Sequence, residues 1–331
     1  MVEERPQRSL VPEEAAQRPS RQARNQIAAV DCGTNTIKLF VGRPPDAAVR
    51  TSRMVRLGQG VDRTGRLDDE ALARAFAAVE EYAVLVADRD IPPERIRFCA
   101  TSATRDSANG DVFAEGVHER LGVWPEVLTG AEEAALAFDG AVRNLHVAPA
   151  DPVLVVDIGG GSTELILGTG PPTPVATAAD SLDIGSVRLH ERLLHGDPPT
   201  AAEVTECVAE IDAVLDSGSV DPAEAAQVVA VAGTAITVAS GVLGLSAYDP
   251  DRTDQAVIDV AEVHAYVEWL VGLTVAERLA LPYLHPGRAD VIDAGALILD
   301  RVLRRTRVST LTISEADILD GIAWSVAQAH P

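Results

Sequence analysis

Two stretches of the 331-residue chain have residue types and spacing suited to holding an anion: VDCGTNTIKLFVG at 30–42 and VDIGGGSTELILG at 156–168. One offset relates Asp31 to Asp157, Gly33 to Gly159, Leu39 to Leu165 and Gly42 to Gly168. Each copy reads as a buried strand, a tight turn and a second buried strand. Glycines in such a turn let the backbone approach a ligand closely, and successive N–H groups form an anion nest. The candidate phosphate-binding residues are Gly33, Thr34, Asn35, Thr36 and Lys38 in the first copy, and Gly159, Gly160, Gly161, Ser162 and Thr163 in the second. The aspartate ending each first strand repels phosphate, but it can hold Mg²⁺ or a water that bridges to phosphate. Taken alone, GGGS could equally be a plain hairpin turn. Neither copy is a Walker A loop, since no Gly-Lys-Ser/Thr closes it. Neither is a dinucleotide fingerprint, because no helix follows the turn.

Three further stretches carry candidate chemistry. TGAEEAALAF starts a helix with Glu132 and Glu133 in its first turn, where carboxylates favour the N-terminal dipole whether or not they do anything else. ATSATRDSANG places Thr101, Ser102 and Arg105 at the end of a short buried strand. Arg105 can neutralise a phosphoryl group in transfer or pair at the surface with Asp106. AVAGTAITVAS puts Gly233 and Thr234 before a helix, as an anion-facing turn or as an ordinary strand-to-helix junction.

The elements that must position these residues alternate between strand and helix. Residues 1–24 are polar and aperiodic and read as a disordered tail. A domain over 25–147 begins with the first hairpin, and a Pro-rich break at 146–152 ends it. The same pattern then restarts in a second domain over 148–313. The expectation is an α/β chain of two similarly opened halves, with the segment 314–331 completing the first domain. A net charge of −22 argues against general nucleic-acid binding. An arginine-rich stretch, RTSRMVRLGQGVDRTGR, stands out locally, and Lys38 is the only lysine. Apolar runs are too short for a membrane span, and no secretory signal is apparent. Cys32, Cys99 and Cys207 form no CxxC, which suits a reducing cytoplasm.

Together, AAVDCGTNTIKLFVG, ATSATRDSANG, VLTGAEEAALAF, VVDIGGGSTELILG, AVAGTAITVAS and VIDAGALIL resemble the exopolyphosphatase / guanosine pentaphosphate phosphohydrolase family. The resemblance runs from about residue 27 to residue 324. It implies two ribonuclease H-like domains of the actin/hexokinase type with a cleft between them. It also implies Glu133 as the base that activates water, Arg105 in the phosphate site, and Asp157, Ser162 and Glu164 in the second hairpin. Mg²⁺ or another divalent cation is then expected on Asp157 and Glu164, with Asp31 nearby. The partner would be inorganic polyphosphate or, as the alternative, guanosine polyphosphate. Two departures stand out. Thr34-Asn35-Thr36 replaces the family's usual Ser-Asn-Ser. SEADILDG puts Asp320 where an arginine is common. A nucleotide-dependent kinase and a non-catalytic polyphosphate or alarmone sensor remain rival readings, and a homodimer is left open.

Overall fold

In the computed structural model the described residues are 26–146, 148–171 and 174–330. The expected disordered tail, 1–24, lies outside them. Eleven strands form two sheets among the described residues. The first sheet contains β1 (Ile27–Cys32), β2 (Thr36–Arg43), β3 (Asp46–Met54), β4 (Ile96–Ala100) and β5 (Glu126–Val127), in the order β3-β2-β1-β4-β5. The second contains β6 (Val153–Ile158), β7 (Thr163–Thr169), β8 (Val175–Leu182), β9 (Gln227–Val231), β10 (Val257–Asp259) and β11 (Thr310–Ile313), in the order β10-β11-β9-β6-β7-β8. In each sheet a three-stranded antiparallel meander is extended by parallel strands: β4 and β5 in one, β9 and β11 in the other. β10 closes the second sheet as an antiparallel edge.

Two helices lie between the sheets. Gly130–Arg143 begins at a capping box in which Thr129 and Glu132 satisfy each other's backbone N–H. Ile318–Ala329 begins at an equivalent box made by Asp317 and Asp320. Ile27, Ala29 and Phe40 of the first sheet and Val153, Val155 and Ile166 of the second bury against Phe138, Ile322 and their neighbours on these helices. Both helices therefore belong to a core shared by both sheets. They cross at contact distance because two glycines meet there. A Cβ on Gly140 would overlap the Asp317 carbonyl, and one on Gly321 would overlap the Leu136 carbonyl.

Two strands escape a reading of the sequence. β3 coincides with the start of the arginine-rich stretch and is an edge strand with little buried surface, so no hydrophobic alternation marks it. β10 has three residues. Conversely, within VWPEVLT, whose valines and tryptophan suit a strand, only the two residues of β5, Glu126–Val127, pair into the sheet.

Candidate active site

Side chains alternate across a strand, and this places four charged groups. Ile27 and Ala29 face the shared core, so Asp31 lies on the same face, as does Lys38 in phase with Phe40. By the same count Asp157 follows Val153 and Val155, and Glu164 is in phase with Ile166. The hairpin registers then set Asp31 directly opposite Lys38 and Asp157 directly opposite Glu164. In the first hairpin Lys38 Nζ lies 3.1 Å from Asp31 and 2.7 Å from Asp317. Burial disfavours the Lys38 charge, but Asp317, Asp31 and Asp157 outweigh it and keep the amine protonated. In the second hairpin two buried carboxylates face each other, and among the described residues neither makes an ion pair. Burial pushes the Asp157 carboxyl up to about 7, against the pull of Lys38. Glu164 is pushed well above the usual carboxylate range by burial and by the charges of Glu133 and Asp157. Ser181 donates a hydrogen bond to it at 2.9 Å.

The turns between these strands are held from behind. Gly33 N–H donates to the Thr36 carbonyl, and Gly159 N–H to that of Ser162. The carbonyls of Thr34 and Asn35 accept from Gly58, Val55 and Arg56, while those of Gly159 and Gly160 accept from Ser186, Val187 and Arg188. In a trans peptide the N–H points opposite to the carbonyl. The amides of Asn35, Gly160 and Gly161 are therefore turned away from the supporting loops. The two turns also touch. Thr34 Oγ1 is 3.0 Å from Ser102 Oγ, and a Cβ on Gly161 would come within 2.8 and 2.9 Å of those two oxygens.

Glu133 enters from the helix Gly130–Arg143. Glu132 is occupied by the capping box, and its neighbour, about 100° further round the helix, is buried. Arg105 donates from Nη1 to Glu133 Oε2 at 3.1 Å and to the Leu128 carbonyl at 3.1 Å. It also approaches Asp106 at 3.6 Å, so it makes the surface pairing that its sequence allowed as well. Burial pushes the Glu133 carboxyl up to about 7 despite Arg105.

These groups enclose a cavity of about 100 Å³, several times what one water requires. Asp31, Gly33, Thr34, Asn35, Thr36, Lys38, Glu133, Asp157, Gly159, Gly160, Ser162, Glu164, Gly233 and Thr234 all line it. Arg105 reaches it only through Glu133, and Gly161 stands behind it against Thr34 and Ser102. Thr163 departs from its expected role. It lies out of phase with Glu164, is fully buried, and donates its hydroxyl to the Ile184 carbonyl at 2.7 Å. Ser186 and Arg288 line the cavity without having been singled out, and Asp317 enters through Lys38. No local motif marks them. Asp320 accepts from Arg50 at 2.8 and 2.9 Å and so joins β3 to the last helix.

Asp157 and Glu164 offer the oxygen donors that a hard divalent cation requires, and a cation would relieve their mutual repulsion. Among the described residues no three His, Cys, Asp or Glu side chains form a metal cage. Mg²⁺ is commonly held by one or two carboxylates together with substrate phosphates. Asn35 Oδ1 is buried here without a hydrogen-bond partner. Asp31 differs from the other two acids because Lys38 already neutralises it.

Two mixed α/β sheets packed on one shared core, with donor-rich turns and buried acids meeting in one cleft, define an α/β protein built to receive an anion. The Ppx/GppA phosphatase family model matches residues 42–330, and the chain belongs to that family. The chain is 42% identical to Exopolyphosphatase 2 of Mycobacterium tuberculosis, over 92% of this chain and 99% of that protein. It is 27% identical to a guanosine-5'-triphosphate,3'-diphosphate pyrophosphatase of Photobacterium profundum, covering 90% of this chain but 59% of the relative. A crystal structure of an exopolyphosphatase-like protein superposes with a TM-score of 0.87 at 39% identity, covering 92% of this chain and 99% of that one.

Proposed function

We propose that the protein is an exopolyphosphatase that releases orthophosphate from the end of inorganic polyphosphate by attack of water. One observation carries this reading: the Glu133–Arg105 pair and the uncompensated Asp157–Glu164 pair meet at a cavity between two donor-rich turns. The terminal phosphoryl group sits between the turns, where the amides of Asn35 and Gly160 and the hydroxyls of Thr34 and Ser162 donate to its oxygens. Asp157 and Glu164 would hold Mg²⁺, which would supply positive charge beside the phosphoryl group. Glu133 takes a proton from the attacking water, and Arg105 fixes its carboxylate and offsets charge nearby. The domains carrying this site are taken as 25–147 with 314–331, and 148–313. Three free, buried cysteines favour a cytoplasmic setting, and no described helix is long and apolar enough to cross a membrane.

Incubating pure protein and Mg²⁺ with polyphosphate, and measuring orthophosphate, tests the reading directly. No release would end it. A second reading, removal of the 5′ terminal phosphate of guanosine pentaphosphate, is favoured by a neighbouring cavity lined by Tyr248, Pro282, Tyr283 and Leu284. Tyrosine faces of this kind can stack on a base. The same assay with that nucleotide separates the two.

A further inference from the structure

Arg105 and Arg188, one from each side of the cleft, share the carboxylate of Asp106. Asp106 ends the short helix Ser102–Arg105, which follows β4. Its Oδ2 accepts from Arg188 Nη2 at 2.9 Å, and its Oδ1 lies 3.6 Å from Arg105 Nε. Arg188 belongs to the helix Ser186–Leu193, which follows β8 of the other sheet. Its N–H donates to the Gly160 carbonyl at 3.1 Å. One residue thus braces the second turn with its backbone and reaches across with its side chain. Arg188 Nη1 also lies 3.5 Å from Asp62 and 3.6 Å from Asp183. One helical turn further on, the Glu191 carboxylate accepts from the Gly60 N–H at 3.1 Å and ties the helix to the same side of the cleft as Asp106.

Glu133 depends on how the Asp106 carboxylate is shared. Among the described residues its ion pair is with Arg105 alone. Around it Asp31 of β1, Asp157 of β6 and Glu164 of β7 add negative charge. Arg105 has two carboxylates within reach: Glu133, 3.1 Å from Nη1, and Asp106, 3.6 Å from Nε. Arg188 draws on the second and leaves Arg105 to the first. The Arg188 side chain is only 16% exposed, so solvent screens its pair with Asp106 weakly. Neither Arg188 nor Asp106 lines the cavity, so any influence on the reaction passes through Arg105.

We propose that Arg188 is a positioning residue for the reaction: by occupying Asp106, it keeps the Arg105 guanidinium on Glu133. The inference rests on the hydrolytic reading above. Without Arg188, Asp106 would retain Arg105 as its neighbouring cation and draw it away from Glu133. Loss of an adjacent positive charge raises the pKa of a carboxyl group. The deprotonated carboxylate is the form that takes a proton from water, so the active form would appear only at higher pH.

Orthophosphate release from polyphosphate by the full chain with Mg²⁺, measured across pH, tests the assignment. In Arg188→Met the rise of kcat/KM should move up by about one pH unit. Near neutrality kcat should fall about fivefold, with KM within about twofold of wild type. Adding Asp106→Asn removes the competing charge, so the double variant should return to within about 0.3 pH unit of wild type. A merely structural contact would instead give losses that add. An unmoved rise in Arg188→Met, a loss carried by KM, or a double variant no nearer to wild type overturns the assignment. If Arg188→Met shows no cooperative melting transition, Arg188→Lys carries the test. A smaller displacement in the same direction is then expected, and none overturns the assignment. Wild-type protein that releases no orthophosphate defeats the hydrolytic reading, and this inference with it. Wild-type release with an unmoved rise in the variant defeats the inference alone.

Discussion

Lys38 and Glu164 occupy equivalent positions in the two hairpins, each in register with the aspartate that ends the preceding strand. In the first hairpin that register makes a 3.1 Å ion pair. In the second it sets two buried acids face to face. One scaffold thus yields a neutralised jaw and a jaw with unspent negative charge, and the second is where a cation belongs.

Removing the carboxylate assigned to the attacking water should separate chemistry from binding. Glu133→Gln keeps an oxygen that can accept from Arg105, while losing the base. Orthophosphate release should fall by about 10²–10⁴-fold, with polyphosphate affinity retained by equilibrium titration. A variant that loses binding and turnover in proportion would contradict the role given to Glu133.

With its carboxyl pushed up to about 7, Glu133 is protonated in weak acid and cannot accept from water. The rate kcat/KM should therefore rise with pH through neutrality. A profile flat from about pH 6 to 8 in the wild type would speak against it.

Stability should move in the opposite direction. Burial raises Asp157 and Glu133 from 3.8 and 4.5 to about 7 each, and it raises Glu164 as well. Between their unfolded values and neutrality, the folded protein holds protons that the unfolded chain has released. Stability of the metal-free protein should fall as pH rises across that window. Mg²⁺ favours the deprotonated carboxylates and should flatten the slope. Thermal melts from about pH 4.5 to 8, with and without Mg²⁺, measure both effects, and Asp157→Asn should weaken the response to the metal.

Lys38→Met would leave Asp31 and Asp317 buried beside an uncharged side chain. Breaking a buried pair on one side costs about 3–5 kcal/mol, so urea unfolding should shift by that order. A shift below about 1 kcal/mol would place this lysine among weakly coupled surface charges.

At the crossing of the two central helices, Gly321→Val would drive a side chain into the Leu136 carbonyl. Overpacking of this kind costs about 1–3 kcal/mol or more, against a gain in helix propensity below about 1 kcal/mol. Net destabilisation in a denaturant titration is expected, together with loss of turnover if the two sheets lose their mutual alignment.

Much of this design is written locally. The repeated hairpins, the phase that places Asp31, Lys38, Asp157 and Glu164 on one face, and the helix start at Thr129 all follow from strand and helix periods and capping chemistry. Glu133 is legible only in part. The first helical turn offers two glutamates, and a family resemblance, not helix geometry, singles out the second in the sequence. Their separation in space comes from folding: the capping box takes Glu132, and the turn of the helix buries Glu133 against Arg105.

Other features are non-local. β3 is hidden because an exposed edge strand carries no buried alternation. Asp317 and Arg288 lie far along the chain from Lys38 and Gly233 respectively, and no local pattern marks either one. Asp317 acquires its role from Lys38, 2.7 Å away at the start of the last helix, and Arg288 from the turn it packs on. Periods and caps fix which face a side chain takes within its own element. Its partner across a cleft is set only when two sheets close on one core.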